Sequence, residues 1–239
     1  MPEKTLYKIF SLGDSGLTVD FGNIIDESLN KLVHTAFFQL QKDPIPGMIE
    51  ALPAYSSLTV YYDTFFIRKI SGQKTAFEWM SEKIKEYLSK EKNENENSGS
   101  LIRIPVCYEK EYGIDLEWIA SQNNIPVEEI IDLHKSATYR VYMLGFLPGF
   151  AYMGMVNEKI ASPRKQQPLP VEAGSVGIAG KQTGIYPLRS PGGWQIIGRT
   201  PLKLFDKEKK NPTLFRSGDS VQFYSITKDE FENIKSRNA

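Results

Sequence analysis

Apolar residues alternate or cluster at strand length over residues 5–10 and 16–21, and Gly13-Asp14-Ser15-Gly16 between them supplies turn chemistry, so the chain is predicted to open with a hairpin. Asp26 then reads as a helix N-cap. Leu29, Leu32, Val33, Ala36, Phe37 and Leu40 follow it at the spacing of one helical face until Asp43-Pro44 stops the pattern. His34 falls just off that face and is expected to be a solvated helix residue. Two further strands are predicted at 47–54 and 57–62. The Thr75-x-x-Glu78 capping box opens a second helix, whose buried stripe is Phe77, Met80, Ile84 and Leu88.

The pattern then stops. Residues 89–100, SKEKNENENSGS, contain no apolar side chain and cannot offset the entropy of ordering, which predicts a linker between an α+β domain at 1–88 and a second domain at 101–239. The second domain starts with the strand-like LIRIPVCY. Asp115 is positioned to cap a short helix, and a further helix around 127–135 places Val127, Ile130, Ile131 and His134 on one face, making His134 a partly buried, hydrogen-bonded residue. From Tyr139 onward helical periodicity vanishes. Short apolar runs such as YRVYML, GWQII and SVQFYSI, separated by Gly and Pro, predict an antiparallel β-barrel or sandwich.

Composition narrows the function classes. Twenty-nine basic and 29 acidic residues cancel, so no global field points to nucleic acid or an anionic membrane. No stretch approaches the ~20 apolar residues of a membrane span, and MPEKTLYKIF lacks the pattern of a secretory signal, so a cytoplasmic location is expected. Cys107 is the single cysteine, set in an apolar strand where a thiol is packing rather than a nucleophile; with two distant histidines it gives no metal-ligand cluster, and no metal is expected. The charge is uneven, however. Between 136 and 200 stand Arg140, Lys159, Arg164, Lys165, Lys181, Arg189 and Arg199 against only Glu158 and Glu172, which reads either as a chance basic face or as an anion- or carboxylate-binding surface.

Ten of the 18 glycines fall between Gly145 and Gly198, where tight turns and close backbone approach are implied. Familiar motifs nearly appear there and fail. The segment ending Gly180-Lys181 has Ser175 in place of the first P-loop glycine and Gln182 in place of the magnesium-binding hydroxyl. Ala173-x-Ser175-x-Gly177 lacks the first glycine of a nucleophile elbow. No catalytic residue is assigned.

The run Tyr139–Phe150, YRVYMLGFLPGF, followed by Ser162-Pro163-Arg164, resembles the family that comprises KipI, allophanate hydrolase subunit 1 and the B subunit of 5-oxoprolinase, a carboxyltransferase-type domain. GSVGIAGKQTGIYP at 174–187, then Ser190-Pro-Gly-Gly-Trp194 and Gly198-Arg-Thr-Pro-Leu202, carry the same resemblance, and the similarity in domain order covers essentially the whole chain. Glu172 stands where a proline is more usual in that family. The resemblance implies a ferredoxin-like α+β N-terminal domain followed by an all-β cyclophilin-like barrel. It further implies a non-autonomous hydrolase subunit that works with a homologous C subunit and a separate A subunit in ATP-dependent opening of 5-oxoproline to L-glutamate, with ATP bound somewhere in the complex. A second implication, from another member, is a regulatory protein that inhibits a sensor histidine kinase.

Arginine forks and preorganised donors match the carboxylate and phosphoryl oxygens of such a reaction. The ligand-contacting residues expected on that basis are Arg140, Arg164, Gln182, Thr183, Tyr186, Ser190 and Arg199, with Trp194 in the core and Phe150 either an apolar wall or core.

Overall fold

The computed structural model describes residues 7–72, 74–89 and 99–237. The chain divides into two compact units, Met1–Ser98 and Gly99–Ala239. Most of the predicted 89–100 segment lies outside the described residues; of its ends, Ser89 closes a helix and Gly99 and Ser100 enter the second unit.

The first unit runs β1 (Lys8–Ser11), β2 (Gly16–Asp20), α1 (Glu27–Lys42), β3 (Met48–Pro53), β4 (Ser57–Tyr62), α2 (Thr64–Ile70) and α3 (Ala76–Ser89). Its strands form one antiparallel sheet in the order β1-β2-β4-β3. Leu58, Val60 and Tyr62 alternate out of β4 into a core shared with Val33, Ala36 and Leu40 of α1 and Met80 and Ile84 of α3. The caps form as predicted: the Asp26 carboxylate accepts from the Leu29 N–H at 2.9 Å, and Thr75 and Glu78 exchange reciprocal bonds of 2.9 and 3.2 Å. Two expectations fail. His34 is not solvated but buried, against the rings of Phe37 and Phe38. Helix α2 was not predicted, because seven residues are too few to show a period and, of its four apolar side chains, Phe65, Phe66 and Ile70 are exposed and only Ile67 is buried.

The second unit comprises β5 (Leu101–Val106), α4 (Leu116–Asn123), α5 (Val127–Ser136), β6 (Thr138–Leu144), β7 (Ala151–Gly154), β8 (Leu169–Val171), β9 (Ser175–Ala179), β10 (Gln182–Ile185), β11 (Ser190–Gly192), β12 (Gln195–Arg199), β13 (Ser220–Ser225) and α6 (Lys228–Arg237). Seven strands form a sheet in the order β12-β9-β10-β7-β6-β13-β5, in which only β5 and β13 run parallel. Just past the end of β5, Cys107 and Arg199 exchange backbone hydrogen bonds of 2.9 and 3.0 Å, joining the two edge strands into a nearly closed, barrel-like sheet. Strands β8 and β11 form a separate two-stranded ribbon. The unit is not all-β: α4 and α5 pack Leu116, Ile119 and Ile130 into the barrel core, and α6 follows the last strand. The last helix carries a single buried residue, Phe231, which is why its periodicity is invisible in sequence.

Candidate functional site

Alternation gives the hairpin β9–β10 two faces. Val176, Ile178 and Ile185 enter the main barrel core. On the opposite face Gly177 and Gly184 are direct cross-strand partners. A Cβ on Gly184 would lie 3.0 Å from both Phe150 and Trp194, and one on Gly177 would lie 3.0 Å from the Trp194 Cβ. The paired glycines therefore leave a shallow trough, filled by aromatic rings. Phe150, Tyr186, Trp194 and Ile196 form a small second core there, with the rings of Phe150 and Trp194 packed edge to face at 5.4 Å. Phe146, at φ 68° on the β6–β7 loop, stands at its rim, exposed and edge-on to Phe150 and Tyr186.

Over this cluster lies Arg164, exposed, with its guanidinium carbon 5.9 Å from the centre of the Trp194 ring. Burial raises the pKa of Tyr152 and of Tyr186, and the positive charge of Arg164 partly offsets it at both, so guanidinium and phenols share one neighbourhood.

The other basic residues of 136–200 are differently employed. Lys159 pairs with Glu129 at 2.9 Å, Lys165 with Asp115 at 2.6 Å, Lys181 with Glu158, and Arg189 with Glu172 at 3.1 Å. The Arg199 Nε–H donates to the Ala173 carbonyl at 2.7 Å, beside Gly174, whose lack of a side chain lets the Thr200 carbonyl pass close by. Arg140 is half-buried on β6, beside Gly218. The apparent excess of positive charge is thus largely cancelled, two of the neutralising carboxylates, Glu129 and Asp115, coming from outside the window. Among the described residues Arg164 makes no ion pair.

Arg164 and Tyr186 share the aromatic patch, and Ser190 lies on β11, whose Gly192 abuts the Tyr186 ring. Gln182 is half-buried on β10, paired with Ala179 and Gly154. Thr183 is corrected: it is fully buried and turned into the barrel core, where its hydroxyl donates to the Gly177 carbonyl at 3.1 Å and meets His134 Nε2 at 3.0 Å. Having given its one proton to Gly177, Thr183 accepts from Nε2–H, so His134 Nδ1 accepts from the Tyr108 hydroxyl at 2.9 Å. Burial lowers the His134 pKa to about 3, and its ring stacks on Phe223 at 4.5 Å; this is a neutral structural histidine. Trp194 and Phe150 are core.

Sequence reasoning missed Asp115 as part of this region. It occupies the N-cap position of α4 but makes no capping bond; its carboxylate accepts from the Ile196 N–H at 2.6 Å and pairs with Lys165. Among the described residues no group of His, Cys, Asp and Glu could hold a metal ion, and no helix is long and apolar enough to cross a membrane.

The fold defines a mixed α and β protein built around a nearly closed barrel-like sheet. It superposes over 100% of its length on 24% of the Kluyveromyces lactis urea carboxylase chain, at TM-score 0.75 and 21% identity, a likeness of fold alone. The crystal structure of TTHA0988 matches 89% of the chain at TM-score 0.75 and 34% identity, the chain spanning 40% of that longer polypeptide. Residues 7–215 match the family "Carboxyltransferase domain, subdomain C and D". A Bacillus subtilis protein named as the B subunit of 5-oxoprolinase is 45% identical over 96% of this chain and 97% of its own length. The chain belongs to this carboxyltransferase-domain family, which includes the 5-oxoprolinase B subunits and KipI.

Proposed function

We propose that this chain is the B subunit of an ATP-dependent 5-oxoprolinase, acting with a homologous C subunit and a separate A subunit to open 5-oxoproline to L-glutamate in the cytoplasm. The observation that carries this reading is the 45% identity to a 5-oxoprolinase B subunit along nearly the full length of both chains. The lactam is unactivated. Transfer of the γ-phosphoryl group of ATP to the amide oxygen, releasing ADP, makes the carbon electrophilic; water adds, the C–N bond breaks with nitrogen taking a proton, and phosphate leaves. No residue of this chain is assigned the chemistry. Arg164, with Tyr186 and Ser190 beside it, is proposed to contact an anionic ligand; Gln182, Arg140 and Arg199 are secondary candidates, and the buried Thr183 supports the barrel rather than the ligand.

The same reading favours finer descriptions of both units and keeps their boundaries at 1–88 and 101–239. The order β1-β2-β4-β3, with α1 between β2 and β3 and α3 after β4, is read as a ferredoxin-like arrangement in which the N-terminal strand occupies the edge next to β2. The second unit is read as cyclophilin-like.

The test is reconstitution. Purified alone, the chain is expected to release no phosphate from ATP with 5-oxoproline present, whereas mixing with A and C subunits should restore ATP-dependent glutamate formation. Steady 5-oxoproline-dependent phosphate release by this chain alone, or full activity of A and C without it, would overturn the reading.

A further inference from the structure

Arg164 is held by what flanks it. The Gln195 side-chain amide donates to the Pro163 carbonyl at 2.9 Å, and the Lys165 N–H donates to the Gly193 carbonyl at 2.7 Å. The Lys165 ammonium reaches Asp115 at 2.6 Å, with the two side chains only 15% and 16% exposed. Asp115 is in turn bound at both ends to Ile196: its N–H donates to the Ile196 carbonyl at 2.9 Å, and its carboxylate accepts from the Ile196 N–H at 2.6 Å. The segment Pro163–Lys165 is thereby fastened to Gly193–Ile196 on both sides of Arg164. Of those three side chains, the arginine alone carries a charge with no carboxylate opposite it among the described residues, and it lies over Trp194.

Such a constellation has a recognisable use. A guanidinium laid on an indole keeps its N–H edge free for a planar carboxylate, while neighbouring rings supply an apolar wall. A surface ion pair adds little stability, but a largely buried one fixes a loop in one geometry, and preorganisation lowers what binding must spend on ordering.

We infer that Arg164 and the half-buried Tyr152, seated on the buried rings of Trp194 and Tyr186, form a binding site for a small carboxylate carrying an apolar ring, and that Asp115 and Lys165 are its positioning pair. The choice of 5-oxoproline as probe rests on the proposed role in 5-oxoproline opening; the site itself does not. Two ligands separate the contributions: 5-oxoproline, and 2-pyrrolidone, the same ring without the carboxylate. Titration of the full chain, followed by the Trp194 indole resonance and by calorimetry, is expected to show preference for 5-oxoproline. Arg164→Met should weaken 5-oxoproline by about 10- to 100-fold and abolish the preference over 2-pyrrolidone. Asp115→Asn keeps an oxygen for the Ile196 N–H, and Lys165→Met keeps the stem. Each should weaken 5-oxoproline by about two- to tenfold while leaving 2-pyrrolidone unchanged, and Lys165→Arg should restore it.

In the assembled enzyme the same variants should raise KM for 5-oxoproline and spare kcat. Equal preference for the two ligands in the parent chain, or an Arg164→Met enzyme with unchanged KM and an undisturbed Trp194 resonance, overturns the inference. Neither result touches the proposed place of this chain in the enzyme, which falls only if the partners do not need it.

Discussion

The two faces of the β9–β10 hairpin are built from alternate residues of the same two short strands, yet they are opposite in kind. The inner face ends in a closed circuit: Tyr108, His134, Thr183 and the Gly177 carbonyl satisfy one another out of contact with water. The outer face has no side chains at Gly177 and Gly184, borrows rings from Phe150 and Trp194 to cover itself, and presents an exposed arginine above them. A buried polar circuit with every group satisfied specifies a fold; an uncompensated charge on a rigid apolar floor is available to a ligand. Perturbed titration alone points to the inner face, because a large shift toward neutrality belongs to His134, which is fully buried.

The inner face should break first with acid. The folded-state pKa of His134, lowered by desolvation to about 3, lies below its ordinary value of 6.5. Above pH 6.5 the ring is neutral in both folded and unfolded chains. As pH falls from there toward 3 only the unfolded chain takes up the proton, so the stability that this histidine contributes at neutral pH is lost across that window, at about 1.4 kcal/mol per pH unit. Denaturant melts of parent and His134→Gln should therefore converge as pH drops, the variant being less stable at pH 7 and less acid-sensitive. Parallel pH profiles would mean that His134 titrates in the folded state. The experiment is specific to the difference between the two proteins, since carboxylates such as Asp26 and Glu78, held low mainly by hydrogen bonds to Ser28 and to the Thr75 N–H respectively, change equally in both.

The trough should respond next. Adding a methyl at Gly184 places it 2.9 Å from the Ala151 carbonyl oxygen and 3.0 Å from two rings. The backbone oxygen cannot turn away, so Gly184→Ala is expected to cost about 1–3 kcal/mol and to shift the Trp194 indole resonance, with the acid dependence due to His134 intact. A variant that melts like the parent would show that the rings over the trough are loosely seated.

How much of this could be read in sequence differs between the faces for physical reasons. Helices α1 and α3 declare themselves because each buries a full stripe, and their caps are local; α2 and α6 do not, since each buries one residue. The short barrel strands are visible as apolar runs, but closure depends on a pairing between Cys107 and Arg199, far apart along the chain, which no local pattern encodes. The glycine-rich stretch contains the β9–β10 hairpin, whereas a count of charges along the chain misses the ion pairs that fold back on it. Lys159 and Lys165 look free in sequence because their carboxylates, Glu129 and Asp115, come from α5 and from the residue just before α4. Arg199 serves a backbone carbonyl. Of the expected trio of arginines, Arg164 is exposed, whereas Arg140 and Arg199 are half-buried, a difference set by folding rather than by spacing.

Arg164 should give the smallest change in stability and the clearest change in function. Its guanidinium is exposed and touches the fold chiefly through the Trp194 ring, a contact worth about 0.5–1 kcal/mol at such a site. Methionine keeps much of the aliphatic stem against that ring while deleting the fork, so part of the contact persists. For a unit of this size the melting temperature of Arg164→Met should fall by no more than about 3 °C. If the arginine meets a ligand carboxylate, loss of one charge-assisted pair should lower kcat/KM of the reconstituted enzyme by about 10- to 100-fold. Thermal melts of the variant and turnover with its partner subunits, run side by side, read these two quantities separately. A parent-like melt with a collapsed kcat/KM places the function on the outer face. A lowered melt with unchanged kcat/KM would make Arg164 one more structural contact, and the distinction between a closed inner face and an available outer one would lose its chemical content.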